Sequence, residues 1–449
     1  MILLNTLDVQ LLTPGFHFSK TICETTLFPL CPSFNRSEVN DSSSVVQPSS
    51  SCNYCRGKHS TDGRFYNFST LRIRYYAYSA FYDDRPSLLS SPVIRIIAIT
   101  DNVGHVPNAK LHCILYHSGG TKRVVMETNP KGCGPGYPFN GRGADPYVYT
   151  CPTEGIVPHS LSVVGMGSDH VSSCMPVEFP LKPKLQKDFV VCVPVSYGNI
   201  NPYRIIEWLE IQKIMGVNLI RVYDLYLSEP ALKVLRHYQQ EGFVQVRKMD
   251  RPYPHEPPKH ILELAISLND CLYRHMYEFK RTVTNDFDEF IKPLKHDNLQ
   301  QLIGYLEGSS EFNQSTNYIF RNTYFFLEVP PDANMSSRFT ILRYRKKASV
   351  SEMRHRVKPI ILTMSCTHVY SHLCLGATAN YSSREPVLSV PPELAVTQHY
   401  RACPLGGPAC KAAMNTTKQD DTLLAYKDRI TDALRTKAIA IMGNTSVDF

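Results

Sequence analysis

The stretch from Phe189 to Tyr223, FVVCVPVSYGNINPYRIIEWLEIQKIMGVNLIRVY, decides the fold. Phe189–Val195 is an unbroken apolar, β-branched run, the pattern of a strand buried on both faces. Asn201 then supplies a helix N-cap and Pro202 the first helical position. Ile205, Trp208, Leu209, Ile211 and Met215 fall on one broad helical face, and Gly216 stops the helix. Val217–Tyr223 reads as a second strand.

The alternation continues downstream. Ser228 is placed to cap a second helix through Leu232, Val234, Leu235 and Tyr238, which ends at Gly242, and Phe243–Arg247 reads as a third strand. Strand, helix, strand, helix, strand with short links is a βαβαβ unit, whose parallel sheet binds ligands at the carboxyl ends of its strands. A longer helix is expected next, because Ile261, Leu264, Ala265, Leu268, Leu272, Met276 and Phe279 keep the helical period for about five turns. The chain then reads Asn285-Asp286-Phe287-Asp288-Glu289-Phe290-Ile291.

Upstream the texture differs. Residues up to about Ser60 are rich in Ser, Asn and Pro and read as a flexible stalk. From Phe65 to about Pro180, short β-prone runs (Leu71–Tyr78, Val93–Thr100, Leu111–Tyr116 and Tyr147–Tyr149) are separated by Gly- and Pro-rich turns. The expected organisation is a stalk over 1–64, a small strand-rich, cysteine-containing unit over 65–186, a Rossmann-type α/β domain over 187–430 and a tail over 431–449.

Composition bounds the function. The 449 residues are 43% hydrophobic and 20% charged, which excludes a wholly disordered or coiled-coil chain. Lys plus Arg against Asp plus Glu gives 48 − 40 = +8, spread along the chain without a basic run. That suits an anionic small substrate or a membrane surface and excludes a nucleic-acid binder. The even count of 14 cysteines, mostly scattered, fits disulfides in an oxidising lumen, and Cys52 and Cys55 read as a disulfide in preference to half of a zinc site. Sequons at Asn35, Asn40, Asn67, Asn313, Asn334, Asn380, Asn415 and Asn444 point the same way. Met1–Leu12 is interrupted by Asn5 and Asp8, falls short of the ~20 apolar residues of a spanning helix, and has no basic n-region. The expectation is an N-terminally truncated chain.

Asp286 and Asp288 stand two apart at an expected strand end, so in extended backbone their carboxylates project to the same side. That geometry can hold a hard divalent cation through oxygen ligands and leave coordination sites for a diphosphate. Asp-x-Asp is common by chance as a solvated turn; its place after a nucleotide-type βαβαβ unit is what gives it meaning. No P-loop, H-E-x-x-H or G-x-S-x-G motif occurs. A glycosidase needs its two carboxyl groups at least ~5 Å apart across the sugar, and two carboxylates pointing one way are better placed to share a metal.

Together, Phe189–Tyr223, Asn269–Tyr277 (NDCLYRHMY), Asp286–Ile291 (DFDEFI) and Gln398–Arg401 (QHYR) resemble the animal glycosyltransferase family 92. Tyr78–Arg85 (YSAFYDDR) and Val93–Ala98 (VIRIIA) resemble the family's N-terminal portion. The resemblance implies a GT-A-like fold and a type II Golgi membrane enzyme with an N-terminal anchor and a luminal domain. It implies β-1,4-galactosyl transfer from UDP-galactose, with a divalent cation, usually Mn2+, to fucose or galactose on a glycan acceptor. Carried over, Asp286 and Asp288 become the metal and diphosphate motif, His399 a further metal or phosphate contact with Arg401 beside it, and His372 a further histidine of the pattern. Asp224, ending the second strand, is a candidate either for a nucleotide contact or for a helix-entry turn, and Glu328 is a candidate catalytic base set against a merely exposed or supporting glutamate. Glu207 and Glu210, on the first helix of the nucleotide half, read as structural or solvated. Lys280–Asn285 is more polar than the buried strand expected there, which keeps open a glycan-binding relative without catalysis.

Overall fold

The computed structural model describes residues 63–69, 73–86, 89–102, 111–127, 144–168, 170–251, 261–313, 315–336, 338–351, 356–374 and 387–443. The stalk, the Cys52–Cys55 pair and four sequons, Asn35, Asn40, Asn380 and Asn444, lie outside them. The other four sequon asparagines, Asn67, Asn313, Asn334 and Asn415, are all exposed.

The expected strand-rich region folds as two antiparallel sheets. β1 (Tyr66–Ser69), β2 (Ile73–Asp83), β3 (Val93–Asn102) and β6 (Ala144–Pro152) lie side by side in one. β4 (Leu111–His117) sits between β5 (Gly120–Val125) and β7 (Ser160–Gly165) in the other, with β8 (Met175–Pro176) at its edge. Cys113 on β4 is bonded to Cys151 on β6, tying sheet to sheet.

The βαβαβ unit is present as read: β9 (Lys187–Gly198), α1 (Pro202–Ile214), β10 (Leu219–Leu227), α2 (Glu229–Gln240) and β11 (Val244–Lys248). Asn201 caps α1 by accepting from the Tyr203 N–H at 2.9 Å. Ser228 holds the cap position of α2 without a capping bond and turns its hydroxyl to Asn199. After α3 (Ile261–Arg274), the strand β12 (Phe279–Thr284) pairs in parallel with β9. β13 (Glu289–Pro293), α4 (Leu299–Gly308), β14 (Asn317–Phe320), β15 (Asn322–Phe326), β16 (Lys346–Lys347), β17 (Lys358–Leu362), β18 (Val369–Tyr370), β19 (Leu373–Cys374), β20 (Leu388–Ser389), β21 (Ala395–Arg401), α5 (Gly407–Asn415), β22 (Lys418–Gln419) and α6 (Lys427–Met442) complete the chain.

The main sheet runs β11-β10-β9-β12-β17-β14-β20, with β11, β10, β9 and β12 parallel. The strand order reverses between β9 and β12, which makes that gap the crevice where open parallel sheets take ligands. This is the GT-A-like α/β architecture expected from the sequence. β9 shows why: Phe189, Val191 and Val193 enter one core with α1, α2, α4 and α6, while Val190 and Cys192 enter another with α3, β2 and β3. Cys192 is bonded to Cys271 on α3. Residues 431–442, assigned from the sequence to a tail, make up most of α6, and Ile430, Leu434 and Ile441 are in the first core.

Two expectations are corrected. The helix over Ile261–Phe279 ends at Arg274; Met276 lies in a turn, and Phe279 opens β12. The polar segment before the acidic motif nonetheless forms a central strand as far as Thr284, because Arg281, Thr282 and Thr284 find partners. Arg281 pairs with Glu307 and lies over the Tyr318 ring. Thr282 bonds the Thr363 hydroxyl at 2.9 Å, and Thr284 donates to the Ser371 carbonyl at 2.9 Å. No helix among the described residues is long and apolar enough to cross a membrane.

Candidate metal and nucleotide site

β12 ends at Thr284, and the chain turns through Asn285–Asp288 into β13. This turn lies at the carboxyl edge of the parallel strands, beside the β9/β12 crevice. Trp208 of α1 holds it from below: its indole N–H donates to the Glu289 carbonyl at 2.7 Å, and its ring meets Phe287 edge-on at 5.0 Å. The Tyr400 N–H donates to the Asp288 carbonyl at 2.7 Å, and the Glu289 N–H to the Asp286 carbonyl at 3.2 Å. The turn is therefore pinned on both sides.

One carboxylate oxygen from each of Asp286, Asp288 and Glu289 lies within 4.8 Å of the others. Asp286 is half open, its side chain 49% exposed, whereas Asp288 is at 17% and Glu289 is fully buried. β21 pairs antiparallel with β13 so that Glu289 faces His399, and parallel with β15 so that Tyr324 also lies beside His399. The His399 Nε2 comes within 3.2 Å of Asp288 Oδ2, and its Nδ1 within 3.1 Å of both Glu289 Oε2 and Asn322 Nδ2. These neighbours serve both neutral tautomers. With the proton on Nε2 the ring faces Asp288 and accepts from Asn322; with the proton on Nδ1 it faces Glu289 and leaves the Nε2 lone pair free.

Cations surround the cluster. Lys358, first residue of β17, puts Nζ 3.1 Å from Asp286 Oδ2 and against Glu289 Oε1. Arg204 of α1 donates to the Tyr400 carbonyl. Burial alone raises the Asp288 carboxyl, but the adjacent His399 and then Arg204 and Arg401 outweigh it and hold it well below the usual range. For Glu289 burial wins, and with Asp286 and Asp288 adding like charge it is pushed up to about 7 despite Lys358 and His399. Lys358 is itself held above the usual lysine range; burial opposes this, and Asp286 and Glu289 outweigh the burial.

The donor set fits a hard divalent cation. It offers carboxylate oxygens and one imidazole. His399 Nε2 and Glu289 Oε2 are buried with no aligned hydrogen-bond partner, so two ligand-type atoms of the cluster stand orphaned.

Asp286, Asp288 and His399, named from the sequence, are thus brought together, and Arg401 lies within electrostatic reach of Asp288. Asp224 does not end its strand as expected: β10 continues three residues further to Leu227, and Asp224, level with Ser196 on β9, accepts from the Leu227 N–H at 2.8 Å. Glu328 lies just past β15, exposed, its carboxylate accepting the Cys403 N–H at 2.9 Å. His372 accompanies the cluster indirectly, with Nδ1 2.8 Å from the carbonyl of Val357, the neighbour of Lys358. Glu207 is structural as expected: buried, it accepts the N–H groups of Thr340, Ile341 and Leu342, each at 2.9 Å. Glu210 bonds the Tyr238 hydroxyl at 2.6 Å. Glu289 and Lys358 were missed. The one sequence signal for Glu289 is that it is the third acid in four residues.

Comparison with known proteins bears on the same region. The model of glycosyltransferase family 92 matches residues 187–435. The Caenorhabditis elegans glycosyltransferase family 92 protein F13G3.3 is 26% identical over 156 residues, covering 33% of this chain and 30% of its own length. The Arabidopsis thaliana galactan beta-1,4-galactosyltransferase GALS2 is 24% identical over 201 residues, 44% of this chain and 38% of its own length. The chain therefore spans 30% and 38% of the length of the curated relatives it matches. Among solved structures, S. aureus TarS 1–349 in complex with UDP superposes with a TM-score of 0.29 at 10% identity, covering 58% of this chain and 76% of that one. The family match takes in more than half of the sequence, including β9, the acidic turn and His399: the chain belongs to glycosyltransferase family 92.

Proposed function

We propose that the protein is a metal-dependent, inverting glycosyltransferase that moves galactose from UDP-galactose onto fucose or galactose of a glycan. The observation that carries this reading is the gathering of Asp286, Asp288, Glu289 and His399 at the carboxyl edge of the β9/β12 crevice. Family membership supports glycosyl transfer, and the name of the Arabidopsis relative supports galactose as the sugar. The exposed sequons and the disulfides support a luminal setting, and a Golgi membrane location through an N-terminal anchor is part of the proposal.

In this reading Asp286, Asp288 and His399 hold the cation, preferably Mn2+, with Glu289 behind them. Bound there, the cation supplies Lewis-acid neutralisation of the leaving diphosphate. Arg401 adds a positive partner for the phosphates, and Asp224, at the same sheet edge, contacts the nucleoside. The acceptor hydroxyl oxygen bonds to the sugar's anomeric carbon as the bond to the diphosphate breaks. Its proton passes to Glu328, whose carboxylate the Cys403 N–H orients.

A donor screen with and without Mn2+, reading free nucleotide, tests the proposal. UDP released from UDP-galactose only with Mn2+ and a fucosylated or galactosylated acceptor is the expected result. Glycan binding by calorimetry without any UDP-sugar binding would instead identify a lectin-like relative.

A further inference from the structure

Lys358 has no part in the transfer just described, yet its side chain is only 5% exposed and lies inside the acidic cluster. Its backbone is fixed. It opens β17, which pairs antiparallel with β12, and His372 bonds the carbonyl of the preceding Val357. Three carboxylates crowded within 4.8 Å need positive charge near them, and with no cation on the cluster the ammonium supplies it through Asp286 and Glu289.

A divalent cation bound to the same oxygens stands within a few ångström of that ammonium, and like charges at that range repel strongly. The lysine then has to give up Asp286. Its four-carbon stem and three freely turning donors let Nζ move without the backbone. Asp286 is the open side of the cluster, at 49% exposure, so the movement leads toward the crevice where a diphosphate would lie.

We infer that Lys358 is a displaceable counter-ion that couples cation binding to nucleotide binding. With the cluster empty it guards Asp286 and Glu289; once the cation enters, its ammonium passes to the diphosphate. The inference rests on the metal-site reading above and adds an order to it. The bare cluster takes up cation weakly, and nucleotide strengthens the uptake by giving the lysine a new partner. Linkage makes the effect reciprocal, since cation must strengthen nucleotide binding by the same factor.

Calorimetric titration of the full chain with Mn2+ alone, and with UDP in the absence and presence of Mn2+, tests this. Lys358→Met is expected to bind Mn2+ alone about tenfold more tightly than wild type and to bind UDP in the presence of Mn2+ about tenfold more weakly. Should that variant fail to fold, Lys358→Arg carries the test. Its rigid fork leaves a carboxylate pair less readily, so Mn2+ alone binds about tenfold more weakly than to wild type. A folded Lys358→Met or Lys358→Arg variant with wild-type affinities overturns the inference and leaves the metal site standing. A wild-type chain that takes up no Mn2+ brings down the metal-site reading, and this inference with it.

Discussion

His399 meets Asp288 across the β13–β21 pair, Nε2 to Oδ2 at 3.2 Å, although 111 residues separate them in the sequence. The contact is set by register, since Glu289 pairs with His399 and the Tyr400 N–H holds the Asp288 carbonyl. His399→Ala removes the one imidazole of the cluster and leaves the strand ladder intact. It should weaken Mn2+ binding at least about tenfold in calorimetry of the folded variant. Unchanged affinity would make His399 a packing residue.

Trp208 carries the turn from beneath through one hydrogen bond and one ring contact. Trp208→Phe keeps most of the apolar contact but leaves the Glu289 carbonyl without its buried donor. That should cost about 1–3 kcal/mol of stability in denaturant unfolding. Because the same carbonyl positions the acidic turn, Mn2+ affinity should fall as well. A stable variant with normal Mn2+ binding would show that β13 sets the turn without help from α1.

Glu328→Gln separates a base from a scaffold. The amide oxygen can still accept from the Cys403 N–H, so melting temperature should hold, while kcat falls by about a hundredfold or more because the amide takes no proton. A variant with full turnover would leave Glu328 as a cap on the Cys403–Cys410 loop.

The fold has a defined acid weakness. His275 is buried between Arg221, 3.2 Å from its Nε2, and Glu278, 3.1 Å from its Nδ1. Burial holds its pKa down to about 4; Arg221 adds to the effect and Glu278 opposes it. The native state therefore refuses a proton that the unfolded chain accepts below about pH 6.5. Stability falls as pH drops through the window from about 6.5 to about 4, and this contribution flattens below it. Between pH 7 and pH 4.5 the loss from this residue is on the order of 2–3 kcal/mol. His275→Gln should lose less stability over that interval, measured by urea unfolding. Parallel losses in wild type and variant would contradict the assignment.

What could be read from the sequence follows from where each residue finds its partners. Phe189–Val195 and the Asn201-Pro202 helix start are local signals, and they yielded β9, α1 and the nucleotide half directly. β12 was harder, because Arg281, Thr282 and Thr284 are matched by Glu307, Thr363 and Ser371, all distant in the chain. α3 was read too long because Met276 and Phe279 keep the helical phase although the chain has already turned at His275–Glu278. Asp286 and Asp288 were visible as a spacing. His399 and Arg401 came only through family resemblance, and Lys358, 72 residues from Asp286, carries no local mark at all. Its part in the cluster exists only through the β12–β17 pairing.

The most direct test of the whole account is Mn2+-dependent UDP release by Asp288→Asn, which keeps the side chain's shape and removes its charge. With a folded variant, the account requires release from UDP-galactose and acceptor to fall by about a hundredfold or more, with Mn2+ affinity lost in parallel. Undiminished turnover in that variant, or in wild type stripped of divalent cations by a chelator, would contradict it.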